Sequence, residues 1–274
     1  MTAKILTSIE QWGELLKRYQ QKETLCNNYM MLAEMESLIN GGSLSVLENN
    51  NNLFLLQKKE KCSRVYYYLN CMNESFDIDI ENDLVVEIIF RQDKGLPEQE
   101  LKFLSRCGFV MYKRRDQYSG SYKEMRLRSH ATGIVVRKAT SIEEVKCSCE
   151  LFNKVFDAYS GDYISDKEIH SLFEAKAIHV ATDIKGLFLG ALHQTIINNT
   201  AWISHLAVID KARGKGVGKA LLDSFVENNK REGKGRYMLW VQSKNATAKK
   251  MYQDKGFIPV GKSTLSMIKI KQTL

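Results

Sequence analysis

Arg213-Gly214-Lys215-Gly216-Val217-Gly218 lies between an apolar run, residues 202–208, and an amphipathic stretch, residues 217–226. The pattern predicts a strand, a glycine turn and a helix. Glycines at 214, 216 and 218 strip Cβ atoms from the turn, so its backbone N–H groups can approach a ligand above the helix N-terminus, where the macrodipole favours negative charge. The stretch reads as a phosphate cradle, and its spacing narrows the kind. A nucleoside-triphosphate P-loop needs a first glycine where Arg213 stands, and Ser or Thr where Ala220 follows Lys219. A dinucleotide fingerprint needs a glycine at 219 and an acidic residue about 20 residues on. Position 219 is lysine, and the next strand-like run, residues 237–241, ends in Gln242-Ser243. A plain surface turn before a helix remains the bland alternative for these six residues taken alone.

The surroundings argue against that alternative. Asn245-x-x-Ala248-x-x-Met251-Tyr252-x-x-Lys255-Gly256-Phe257 follows the 237–241 run, and Leu206-x-Val208 precedes Arg213-x-x-Gly216-x-Gly218. In this order and spacing the motifs resemble the GNAT superfamily of acyl-CoA-dependent N-acyltransferases, over about residues 133–274. The resemblance implies acetyl-CoA as acyl donor, held by Leu206, Ala207, Val208, Arg213, Gly214, Lys215, Gly216, Val217, Gly218, Lys219 and Asn245, with no metal. Asp210 departs from the family, many of whose members carry proline there.

Charge agrees with an anionic ligand and places it. Residues 1–132 balance 18 basic against 18 acidic side chains, so the net +8 belongs to 133–274. Residues 211–255 hold 12 basic and 4 acidic residues, the same excess, gathered around the turn. Such a field would hasten capture of coenzyme A phosphates. Charge alone would equally suit nucleic acid, but no helix-turn-helix, zinc-finger or aromatic ribonucleoprotein pattern accompanies it. Nucleic acid is therefore set aside, and the expected acceptor is a small-molecule amine or a peptide.

No span approaches the roughly 18 apolar residues of a membrane helix, and residues 1–16 carry Lys4, Glu10 and Glu14 without an apolar signal core. The expectation is a cytoplasmic protein with no membrane partner. Its six cysteines include no Cys-x-x-Cys, and Cys147 and Cys149 have no histidine beside them, which suits reduced thiols better than zinc.

The length, 274 residues, suits two domains, and the polar stretch 129–133 suggests a boundary giving 1–131 and 132–274. The second half reads strand (134–139), helices (142–156, 166–175), strands (179–183, 190–197), then the motif strand, turn and helix. That order predicts an α/β fold, a twisted mixed sheet flanked by helices. The first half reads as a smaller α+β domain with strands at 54–58, 65–69 and 84–90 and a helix at 98–106. Leu104-x3-Gly108-Phe109 parallels Tyr252-x3-Gly256-Phe257; strand-like runs follow at 110–112 and 258–260, and closing strands at 123–127 and 264–270. The expectation is a degenerate GNAT-like copy without the glycine loop, against an unrelated α+β domain.

Acyl transfer to an alkyl amine must remove a proton from a group of pKa about 10 and stabilise an oxyanion. The resemblance assigns the oxyanion to backbone N–H groups of Leu206 to Val208, and proton donation to the leaving thiolate to Tyr252. Asn245 would cap the helix 246–254 as well as reach the cofactor arm. The family's strand glutamate is missing, since 202–205 read Trp-Ile-Ser-His. His205 is the candidate base, with His193 on the neighbouring strand, although a strand histidine is more often simply packed. Asp157, Tyr159, Asp162 and Tyr163 occupy the segment that shapes the acceptor pocket in the family. The resemblance and the residues together point to an N-acetyltransferase acting by direct attack in a ternary complex. The alternative is an acyl-CoA-binding regulatory or interaction module, and a third reading gives the first half a protein or RNA acceptor to hold.

Overall fold

A computed structural model describes residues 3–49, 51–73, 82–126, 133–160 and 163–271. The chain forms two compact units: Met1–Arg114 with Ser263–Leu274, and Arg115–Lys262.

The first unit contains β1 (Lys4–Ile5), α1 (Ile9–Tyr19), β2 (Leu25–Cys26), α2 (Leu32–Asn40), β3 (Leu44–Glu48), β4 (Leu53–Lys58), β5 (Ser63–Leu69), β6 (Leu84–Arg91) and α3 (Glu98–Arg106). The strand β7 (Val110–Ser121) then runs into the second unit. The second unit continues with β8 (Ile134–Lys138), α4 (Ile142–Val155), α5 (Ile169–Glu174), β9 (Ile178–Asp183), β10 (Phe188–Ile197), β11 (Thr200–Val208), α6 (Val217–Arg231), β12 (Arg236–Gln242) and α7 (Ala246–Lys255). The last strand, β13 (Ile258–Lys269), returns to the first unit.

In the first unit the sheet order is β1-β3-β4-β5-β6-β13, with β2 added to β5. Leu53 and Leu55 of β4 point into a cluster with Trp12, Leu15 and Met35, whereas Phe54 and Leu56 point to one with Phe103 and Leu104. A strand covered on both faces is apolar at successive positions, which is how Leu-Phe-Leu-Leu reads. In the second unit the order is β7-β12-β11-β10-β9-β8. One face packs on α6 through Val217, Leu221, Leu222, Phe225 and Val226, the stripe expected for that helix. The other face packs on α4 and α5 through Val145, Cys149, Phe152 and Ile169.

The two orders correspond strand for strand. In each unit one internal pair is parallel: β5 with β6 (Ser63↔Leu84) and β11 with β12 (Ala201↔Tyr237). Each last helix ends alike, Phe109 N–H donating to the Leu104 carbonyl and Phe257 N–H to that of Tyr252, both at 3.0 Å. Gly108 and Gly256 have φ of 86° and 108°, which close such ends at little steric cost. Only residues 70–83 separate β5 from β6, where 209–235 separate β11 from β12. Residues 70–83 contain no glycine, so the connecting sequence does not repeat the Arg-x-x-Gly-x-Gly pattern.

The units differ from the expected division at 131/132. Residues 115–121 of β7 pair with β12 along its whole length, and 263–274 belong to the first unit. The charged run Lys113-Arg-Arg-Asp116 hides the continuity of β7, so 110–112 alone read as strand. Likewise 258–260 and 264–270 are parts of one strand. The strand expected at 123–127 is replaced by a 3₁₀ turn, Tyr122–Glu124, closed by a Ser121/Glu124 capping box, and Leu127 falls outside the described residues. The expected boundary, 129–133, lies outside them except for Gly133. The helix expected at 166–175 begins as a 3₁₀ turn, Asp166–Glu168, before α5. Among the described residues, no helix is long and apolar enough to cross a membrane. Cys62, Cys107 and Cys149 are buried, and the six cysteines are unbridged.

Candidate functional site

β11 leads through a 3₁₀ turn, Asp210–Ala212, into the glycine loop. Gly214 and Gly216 have φ of 76° and 87°, a left-handed conformation that side chains with Cβ rarely adopt. Gly216 is the N-cap of α6, and with no side chain to cap the helix its first turn stays open. Among the described residues the backbone N–H groups of Gly214, Gly216, Val217, Gly218 and Lys219 meet no acceptor, while Ala220 N–H closes on the Gly216 carbonyl. Helix starts are ordinarily capped by side chains or ligands. An added Cβ on Gly214 would meet nothing within 4 Å, so the space over that part of the loop is open. Gly218 is different: its Cβ would stand 3.2 Å from Met251 Sδ and 3.6 Å from Leu206 Cδ2, so glycine lets α6 sit close to α7 and β11. Lys211, Arg213, Lys215 and Lys219 are exposed around this turn. Asp210 pairs with Arg213 at 2.9 Å at the exposed rim.

The parallel register of β11 with β12 covers Ala201, Ile203 and the residue between them. Beyond it, Leu206, Ala207 and Val208 keep their antiparallel partners on β10 but have none on β12. Their β12-facing edge can hydrogen-bond an extended, amide-bearing arm in the manner of an added strand.

Tyr252 on α7 lies in the α6-side cluster, 7% exposed, with its ring edge-on to Phe257 at 5.8 Å. Its hydroxyl has no hydrogen-bond partner among the described residues. Burial pushes the phenol well above its ordinary value, so it remains protonated and able to donate. Asn245 caps α7, its side-chain oxygen accepting from Ala248 N–H at 3.0 Å.

His205 stands on the opposite face. A bulge places His193 opposite His205 but Gln194 opposite Ile203, so Ser204 is the extra residue. Strict alternation would send His205 to the same side as Ile203; the bulge turns it towards α4. There it stacks on Phe152 at 5.1 Å, meets Phe156 edge-on at 5.1 Å and remains 7% exposed. Its Nδ1 lies 3.0 Å from Nδ1 of His193, so one ring donates and the other accepts. Burial and then His205 push His193 down to about 3, leaving it neutral at neutral pH. Tyr252 and His205 thus belong to different faces of the sheet. Asp157 is turned inward, its carboxylate accepting from Ser160 N–H at 2.9 Å; Tyr159 and Tyr163 are half-buried, and Asp162 is outside the described residues.

Sequence reading missed Gly190 on β10, where an added Cβ would come 2.6 Å from the Ala207 carbonyl oxygen. It also missed the ion pair of Lys255 and Asp223, both at least 95% buried, in which the ammonium also donates to the Arg126 carbonyl. An isolated lysine in a polar helix carries no signal of such burial.

A splayed parallel pair, a glycine turn and an uncapped helix on a mixed sheet define the acyl-CoA-dependent acyltransferase fold. Residues 138–267 match the family model described as acetyltransferase (GNAT) domain, and the C-terminal half of the chain is a GNAT domain. No curated protein matches the chain. Among solved structures it is similar to a tandem GNAT protein from the clavulanic acid biosynthesis pathway, with 12% identity, TM-score 0.63 and coverage of 100% of this chain and 99% of that one. It is also similar to GCN5-related N-acetyltransferases from Sphaerobacter thermophilus (15% identity, TM-score 0.61, 84% and 81%) and Kribbella flavida (12%, 0.57, 90% and 98%). The fold of the whole chain is that of two-domain GNAT proteins.

Proposed function

We propose that the second unit transfers an acetyl group from acetyl-CoA to a primary amine by direct attack within a ternary complex. The observation that carries this reading is the set of unpartnered N–H groups of Gly214 and of Gly216 to Lys219, placed among exposed lysines at the end of a strand whose edge is open. Such a set matches a diphosphate, and the open edge of Leu206 to Val208 matches the amides of a pantetheine arm.

In this reading the N–H groups of the same edge receive the negative charge that develops on the thioester oxygen. Tyr252 gives its proton to the departing thiolate; its unpartnered hydroxyl and raised pKa support that role. His205 takes the proton released by the amine through water at its Nε2 edge. Its Nδ1 stays engaged with His193, whose neutral ring can accept from it and steady the imidazolium. The enclosure by Phe152 and Phe156 is also what a packed strand histidine shows, so substitution at His205 decides between the two roles.

The test is release of free CoA thiol from acetyl-CoA with a panel of alkyl amines, amino acids and peptides, alongside calorimetry with CoA. Binding at one CoA per chain and amine-dependent thiol release are expected. Tight CoA binding without turnover on any amine would convert the unit to an acyl-CoA-binding module, and no CoA binding would remove the loop from consideration.

A further inference from the structure

The first unit has the same splayed parallel pair as the second, but its own chain fills the gap. After Val65 and Val86 the register of β5 with β6 ends, and Asn27 lies between the strands, 2% exposed. Its side-chain amide donates to the Val65 carbonyl at 3.2 Å and to the Glu87 carbonyl at 3.0 Å, and its oxygen accepts from Tyr67 N–H at 2.6 Å. These are the backbone groups that an extended ligand arm would use, so the gap is closed to one. What remains open is a cavity of about 230 Å³ above this seal, lined by Asn27, Tyr29, Glu34, Arg64, Tyr66 and Glu87, with an apolar remainder from Met30, Val65, Val85 and Ile89.

We propose that this cavity binds a small organic ammonium ion. Two carboxylates line it against one guanidinium, and that guanidinium faces Glu87 at 3.5 Å with both side chains about four-fifths buried. Glu34, exposed in the first turn of α2, has no ion-pair partner among the described residues. Both phenols are held above their ordinary value chiefly by burial. Tyr66 is raised first by burial, with Arg64 opposing and Glu34 and Glu87 adding; Tyr29 is raised by burial, then by Cys26, Glu100 and Glu87. A carboxylate entering here would meet Glu34 and Glu87, whereas an ammonium would meet both with their charge in its favour and two aromatic rings beside it. The Asn27 seal and the small volume select a short amine, and the apolar strand residues suit its alkyl part. The inference concerns the first unit alone and does not depend on the transferase reading.

Saturation-transfer NMR on the full chain, with n-butylammonium as probe and butyrate as anionic control, tests it. Butylammonium is expected to receive saturation and butyrate not. Glu34→Gln, an exposed change, should weaken binding about threefold, in the range of a solvent-exposed charge pair. Glu34→Gln with Glu87→Gln should weaken it by about tenfold or more, and Ile89→Trp should abolish it by filling the cavity. The thermal unfolding midpoint, measured on the same samples, should stay near the parent value and report an intact chain. Saturation of butyrate, or unchanged butylammonium affinity in Glu34→Gln and Ile89→Trp, would overturn the proposal; the latter would place amine binding elsewhere in the chain. Should the double variant fail to fold, these two single variants decide.

Discussion

Replacing Gly216 by valine separates backbone strain from ligand contact, because the structure supplies a matched control. Gly216 is the N-cap of α6 with φ of 87°, and Gly233, just beyond its C-terminal end, has φ of 76°. A new Cβ on Gly233 would meet no other residue within 4 Å. Valine at either position costs left-handed strain of about 1–3 kcal/mol. At about 2–4 °C per kcal/mol for a domain of this size, each variant should melt about 2 to 12 °C lower. Only position 216 lies among the unpartnered N–H groups. There the branched side chain, or the loop shift that relieves its strain, removes at least one hydrogen bond to a charged phosphate, worth about 1.5–3 kcal/mol. Kd for CoA should then rise by at least about 10- to 150-fold. Calorimetry with CoA, paired with thermal denaturation, measures both. Parent affinity in folded Gly216→Val would remove the loop from the binding site. An equal loss of affinity in Gly233→Val would show that strain in α6, and not contact at its N-terminus, is what the cofactor senses.

Tyr252→Phe should leave CoA affinity nearly intact and lower kcat by about 10- to 1,000-fold, since proton donation matters in the transition state; an unchanged kcat with chemistry shown to limit the rate would return Tyr252 to the core. A fragment of residues 132–274 lacks the β7 residues that pair with β12, so it should lose cooperative melting, whereas residues 115–262 retain every strand of the second unit; a stable 132–274 fragment would refute the strand assignment. Buried His179, held down to about 4 chiefly by burial and then by Lys138, excludes a proton that the unfolded chain accepts near pH 6.5. Unfolding free energy should therefore rise with pH between about 4 and 6.5 and level off above, and a folded His179→Gln variant should show a shallower slope in urea melts across that window.

The glycine turn was legible in sequence because its chemistry is local: three glycines, a preceding apolar strand and a following amphipathic helix state the backbone conformation without help from distant residues. The same holds for the Asn245 cap and for the paired Leu104 and Tyr252 helix ends, where glycine placement alone sets the closure. The site residues beyond that depended on a family resemblance.

Tertiary structure decided what depends on pairing. The insertion of Ser204 into β11 is invisible to an alternation count, yet it sends His205 to the α4 face, away from Tyr252. Asn27 reads as one polar residue among several, and only the parting of β5 from β6 makes it a bridge. The unit boundaries were out of reach for the same reason. Strand propensity marks where β7 and β13 lie, but the energy that assigns their halves comes from backbone hydrogen bonds to partners more than 100 residues away, and those partners leave no mark on the strand's own sequence.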